Sequence, residues 1–228
     1  MLSINVVIPV LNESGNIIQC LEQFRGATSA DLVVVDGGSE DGTRDQVSGT
    51  GLATLIQTDT RGRARQMNRG ARASEGEILL FLHADTLLPE QGLELIAASL
   101  EDPAVVGGRF ELELAAAGWR FRVISKASTW RSRFLGITYG DQGIFCRRSV
   151  FDSVGGFPDL EIFEDSEFCR LMKKEGRFIL IDSPVRCSAR RWRRSGVWRT
   201  VLWMWILRIL FEFSVSDKRL SQWYRNVR

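Results

Sequence analysis

Apolar runs of strand length alternate with helix-length segments through the first half of the chain. Ile4 to Val10 is an almost unbroken β-branched run, suited to a strand buried on both faces. Leu32 to Val35, Ala53 to Ile56 and Ile78 to Leu82 repeat the theme. Between them, Asn12 and Ser14 stand where they can cap a helix carrying Ile17, Ile18, Leu21 and Phe24 on one face. Arg63 to Ala73 also reads as a helix. Strands and helices in alternation predict an α/β fold, with a mostly parallel sheet flanked by helices.

Pro89 fits the first turn of a further helix through Leu93, Ile96 and Leu100. Val105 to Leu114 alternates as a longer, partly exposed strand. Beyond residue 115 the periodicity weakens. Trp119 to Phe134 predicts an amphipathic helix, Gly143 to Cys146 a short strand and Ser166 to Lys174 a helix. Phe178 to Ile181 and Val185 to Cys187 predict two short strands around a turn at Asp182, Ser183 and Pro184. No internal repeat, low-complexity tract or linker divides the chain. The expected organisation is one domain over 1–195, with halves 1–88 and 89–195, and a C-terminal helical extension over 196–228.

Among 228 residues, hydrophobic types make up 44% and charged types 25%, and the formal net charge is +2. These values exclude a disordered chain. They give no support to nucleic-acid binding through global basicity. Cys20, Cys146, Cys169 and Cys187 lie far apart with no CxxC pair, which fits buried thiols in a reduced compartment and not a zinc or disulfide framework. No basic segment followed by an apolar one precedes Ile4, so no signal peptide is read and the cytosol is the expected location.

In an open α/β sheet, ligands collect at the carboxyl ends of the strands. Three such ends carry polar residues: Asn12-Glu13 after the first strand, Asp36 to Thr43 after the second, and His83-Ala84-Asp85-Thr86 after the fourth. Each alone is ordinary turn chemistry. Three together point to a site.

These segments resemble the family-2 glycosyltransferases with the GT-A fold, a Rossmann-like sheet. The matching stretches are Val7 to Glu13, Val33 to Thr43, Gly62 to Ala71 and Leu80 to Thr86, in the family's order, followed by Gly140 to Gly143, Phe163-Glu164-Asp165 and Arg190-Arg191-Trp192. The resemblance implies that Asp36 accepts a hydrogen bond from the nucleotide base, a role that suits the N–H of uracil. Pro9, Asn12 and Glu13 would line base and ribose, the glycines after Asp36, beginning with Gly37, would let the backbone approach the ligand, and Ser39 would stand among the nucleotide-sugar contacts. Arg63, Arg65 and Asn68 are expected on a helix facing the nucleotide, where either Arg can meet a phosphate. Solvated helix-face arginines are the alternative.

Asp85 matches the second acid of the family's Asp-X-Asp metal motif, whose first position here is His83. A divalent cation, Mg²⁺ or Mn²⁺, would neutralise the leaving diphosphate. Ligation by His83 would favour Mn²⁺, and hydrogen bonding of His83 to phosphate or ribose, beside Ala84, is the other reading. Asp165 is expected to be the general base, with helix capping as its structural alternative, and Glu164 an acceptor contact. Asp141, Gln142, Arg191 and Trp192 are expected near acceptor or diphosphate. Arg191-Trp192 is a partial match to Gln-X-X-Arg-Trp, since Ser188 stands at the Gln position, and this argues against a processive synthase.

Arg186, Arg190, Arg191, Arg193, Arg194 and Arg199 crowd the approach to Val201 to Leu207, which is wholly apolar. The apolar stretch is too short to span a membrane. Trp198, Trp203, Trp205 and Trp223 with flanking arginines suit a helix at a membrane interface, at the inner face of the cell membrane; a homodimer contact or core packing are the alternatives. The expected activity is an inverting transfer of one sugar, most simply from a UDP-linked donor, to a hydroxyl acceptor that is a lipid or small hydrophobic molecule. A sugar-phosphate nucleotidyltransferase would need a basic phosphate loop where Asn12-Glu13 stands. A non-catalytic nucleotide-sugar-binding protein would have no use for a base at Asp165.

Overall fold

The β-branched runs form the middle of the sheet. In the computed structural model, β1 (Ile4–Val10) pairs in parallel with β2 (Ala30–Asp36) and with β4 (Ile78–Phe81), and β3 (Ala53–Gln57) adds to β2. The structure describes residues 3–59 and 61–227, and all of their side chains except those of 191, 194, 195 and 225–227. Every residue of β1 but Pro9 is buried, because helices cover both faces. Val6 and Ile8 pack with Ile17, Cys20 and Leu21 of α1 (Ile17–Glu22), while Val7 faces Ala64, Met67 and Ala71 of α3 (Arg63–Arg72). Period-two alternation thus divides one strand between two cores.

Past β4 the direction changes. β7 (Ile144–Arg147) is antiparallel to β4, and β6 (Val105–Ala115) is antiparallel to β7. β8 (Arg177–Ser188) runs parallel to β6, and the two-residue β5 (Thr86–Leu87) closes the edge. The order is β3-β2-β1-β4-β7-β6-β8-β5, a mixed sheet whose continuous parallel block is the β3–β4 half.

Several local expectations are corrected. Asp182 and Ser183 do not turn the chain. β8 is continuous, because β6 offers one long partner to both apolar segments, and the pairing steps from Phe110–Ile181 to Glu111–Pro184 across a bulge. Asn16, not Asn12 or Ser14, takes the N-cap position of α1, and Ile18 is 45% exposed. α4 (Gly92–Ser99) begins after Pro89, whose carbonyl accepts the Gly92 N–H in the preceding turn. α5 (Trp119–Trp130) passes into a π-helical turn, Arg131–Leu135, that ends at Gly136 in the left-handed region, φ 66°.

α2 (Thr43–Thr50) follows β2, and α6 (Arg148–Val154) and α7 (Glu164–Glu175) cover the second half. α8 (Arg190–Ser195), α9 (Val197–Glu212) and α10 (Asp217–Val227) end the described chain. They do not trail away. Val197 and Val201 pack on the main core, and Leu207 and Leu220 bury Ile162 and Phe163. The C-terminal helices therefore hold the segment that leads into α7.

Candidate active site

The ends of β1 and β2 are tied to each other by short polar contacts. The Asn12 N–H donates to Ser39 Oγ at 2.9 Å, and Asn12 Oδ1 accepts the Glu40 N–H at 2.9 Å. The Glu13 N–H donates to Thr43 Oγ1 at 2.9 Å. Asn12 adopts φ 57°, a conformation that Asn tolerates better than most residues. Asp36 lies between these loops, 1% exposed, and accepts the N–H groups of Gly38 and Ser39 at 3.0 Å each. Gly37 rests against Gln66, where a Cβ would come to 3.0 Å from the amide nitrogen. That amide donates to Val10 O and Val35 O at 2.8 Å each, joining both strand ends. No role was expected for Gln66; the available signal was a polar residue on the buried face of an otherwise apolar-packed helix.

α3 spreads its polar residues. Arg63 Nη1 meets Glu164 Oε1 at 3.2 Å, which links the two halves. Arg65 is engaged bidentately by Asp159 on the surface, at 2.7 and 2.8 Å. Asn68 uses both ends of its amide on Phe157, Nδ2 to the carbonyl and Oδ1 to the N–H, each at 2.8 Å. Asn68 therefore clamps a loop of the second half.

The β4 end brings acids together. Asp85 is half-buried, and its carboxyl is held above the usual carboxylate range, chiefly by burial and then by the Glu13 and Asp141 carboxylates. Among the described residues no hydrogen-bond donor meets the Asp85 carboxylate. Glu13 accepts from Arg190 Nη2 at 3.0 Å. Ala84 is buried in the core, and Pro9 is half-buried at the end of β1. Among the described residues no three His, Cys, Asp or Glu side chains are spaced to cage an ion by themselves.

Asp165 sits in the first turn of α7, where Phe163, at φ 65°, takes the N-cap position expected of an aspartate cap. One carboxylate oxygen accepts the Ser166 N–H at 2.6 Å and the other accepts the Gly140 N–H. Burial first, and then the adjacent Glu164, push the carboxyl well above its ordinary range, against the pull of Arg63 and the two N–H groups. Gly140 explains a close meeting: a Cβ there would stand 2.7 Å from His83 Nε2 and 3.2 Å from Asp165 Oδ2. Glycine lets the lone histidine and the buried aspartate converge on one point of backbone.

Asp141, which follows Gly140, lines an apolar cleft of about 150 Å³. Ile124 and Ala127 of α5, Trp192 of α8 and Trp198, Val201, Met204 and Trp205 of α9 also line it, together with Arg131 and Tyr139. Gln142 is fully buried and donates to the Phe110 carbonyl at 3.1 Å, so it supports this turn from behind instead of facing the cleft. The side chain of Arg191 lies outside the described residues.

Residues 5–155 match the model of glycosyl transferase family 2. The glycosyltransferase AglE of Haloferax volcanii is 29% identical over 170 residues, 68% of this chain and 56% of that protein. A PGL/p-HBAD biosynthesis glycosyltransferase of Mycobacterium bovis is 30% identical over 177 residues, 67% of this chain and 62% of its own. Among solved structures, the mannosyltransferase PcManGT of Pyrobaculum calidifontis, in complex with GDP-Man and Mn²⁺, superposes with a TM-score of 0.65 at 26% identity, over 86% of this chain and 61% of that one. The chain thus spans less than two thirds of the length of these relatives. This chain belongs to glycosyl transferase family 2.

Proposed function

We propose that the chain transfers one sugar from a nucleotide-diphosphate sugar to a hydroxyl acceptor with inversion, Asp165 serving as base. The observation that carries this reading is the Asp165 carboxylate. It is buried, raised toward neutrality and already oriented by the Gly140 and Ser166 N–H groups, with His83 of the β4 end meeting the same glycine. The acceptor O–H gives its proton to Asp165 as its oxygen bonds to the anomeric carbon. The bond to the diphosphate breaks on the opposite face, and its electron pair leaves with the nucleotide.

Asp36 supports a uridine donor. Its two N–H donors leave lone pairs on a rigid carboxylate, which can accept a base N–H. Glu13, half-buried at the β1 end, is suited to the ribose hydroxyls. The donor set fits a hard divalent cation. Asp85 lacks a hydrogen-bond donor among the described residues and feels Glu13 and Asp141 as like charges, a conflict that Mg²⁺ or Mn²⁺ relieves. Few protein ligands suffice, since such ions take the remainder from substrate phosphates. When bound, the ion neutralises charge developing on the diphosphate. The apolar cleft that Tyr139 and Asp141 help to line supports an acceptor whose hydroxyl is carried on an apolar group.

The test is Asp165→Asn, with nucleotide-sugar binding followed by calorimetry and turnover by nucleotide release. Binding within about twofold of the parent and loss of turnover are expected; unchanged turnover would remove Asp165 from the role.

A further inference from the structure

We propose that the exposed faces of α5 and α9 dock together on a bilayer surface carrying anionic phospholipid. The inference rests on surface side chains and is independent of the chemistry assigned to Asp165.

α9 is apolar on both sides, and only one side is covered. Thr200 and Leu207 are buried against the domain. The opposite stripe, Trp198, Leu202, Trp205, Ile206, Ile209 and Phe213, follows helical spacing and stays in water, with Leu202 62% and Phe213 78% exposed. α5 adds Trp119, 57% exposed, whose ring meets that of Trp198 at 6.4 Å, and Val123 beside it. The two helices therefore present one continuous apolar surface, with the cleft opening between them. Scattered exposed apolar residues need no explanation, but a continuous stripe marks a contact surface.

Charge selects the occupant. From Gly118 to Gly140 the sequence carries Arg120, Arg122, Lys126, Arg131 and Arg133 and no acid; between Asp182 and Glu212 it carries seven arginines and no acid. Arg120, Arg122, Arg193 and Arg199 are exposed around the apolar surface. A second copy would bring an equally basic face against this one, and like charges oppose that pairing. Anionic headgroups complement it, while tryptophans favour the interfacial depth. Among the described residues no helix is long and apolar enough to cross a membrane, so the face lies on the bilayer.

The test is co-sedimentation of the full chain with phosphatidylcholine vesicles, with and without phosphatidylglycerol, at low and high salt. Binding to the anionic vesicles is expected to exceed that to the neutral ones by about tenfold or more and to weaken with salt. Leu202→Glu with Ile209→Glu, outside the cleft lining, should reduce vesicle binding about tenfold or more while leaving nucleotide-sugar binding and melting temperature unchanged. Arg120→Glu with Arg122→Glu should do so without removing apolar area. Sedimentation equilibrium without lipid should give a monomer for parent and variants. Failure of the parent to bind anionic vesicles, or a parent dimer that the Glu variants dissociate, overturns the proposal.

Discussion

Asp36 and Asp165 are both buried carboxylates that accept two backbone N–H groups, but they are built in opposite ways. Asp36 takes its donors from Gly38 and Ser39, two and three residues away. Asp165 takes one donor from the next residue and the other from Gly140, 25 residues earlier, and shares its surroundings with an arginine on α3. The first is a loop property of the parallel half. The second is a tertiary property, assembled where α7, the Gly140 turn and α3 meet, under the cover of α9 and α10. Asp165 also has a like-charged neighbour in Glu164, whereas Asp36 has Arg44 Nε at 4.0 Å. On the proposed reading, local donors suit Asp36 to binding, while a like-charged neighbour and burial suit Asp165 to taking a proton.

The largest effect should follow from Asp165→Asn, a loss of about 10³-fold in turnover with donor affinity held. Asp36→Asn should do the reverse. Loss of a charged acceptor weakens donor binding by about ten- to a hundredfold, and turnover at saturating donor stays close to the parent. Titration calorimetry and initial rates on both variants check the pair. Equal losses of affinity and turnover in both would show that the two carboxylates do not divide the work.

The same contrast decides what could be read before the structure. β1 to β4 were legible because β-branched runs between turn residues need no distant information, and Asp36 followed from standing at the end of one such run. Asp165, Gly140 and Arg63 were each picked out by motif, but not that Gly140 donates to Asp165 or that Arg63 meets Glu164, since nothing local links residues 101 positions apart, as Arg63 and Glu164 are. The turn expected at Asp182, Ser183 and Pro184 failed for the same reason. A turn-forming dipeptide was overruled by the long partner strand β6. Gln66 escaped notice because its two acceptors are carbonyls of other strands.

The raised proton affinity of Asp165 has a kinetic and a thermodynamic sign. As a base it must be ionised, so kcat/KM should fall with decreasing pH at values above the ordinary carboxylate range. Glu164→Gln, which removes the like charge, should move that fall to lower pH. For stability, the folded state holds the proton more tightly than the unfolded state. The contribution is complete below the unfolded value near pH 3.9 and is lost as pH rises through the raised folded one. Asp165→Asn sets an amide NH₂ against one of the two N–H donors, so the variant should melt below the parent at low pH, with the deficit shrinking as pH rises through the raised folded value. Melting curves across pH check this, and a deficit that does not change with pH would contradict it.

The smallest effect belongs to Asn68, which the sequence pointed toward the nucleotide and whose amide is spent on Phe157. Both hydrogen bonds join α3 to the loop before α7, so their loss loosens the joint between the two halves without touching Asp36. Asn68→Ala should cost about 1–2 kcal/mol and lower the melting temperature by about 2–6 °C, leaving donor affinity within about twofold. A tenfold loss of affinity at an unchanged melting temperature would instead assign Asn68 to the nucleotide. It would also show that α3 serves the binding half more than the joint.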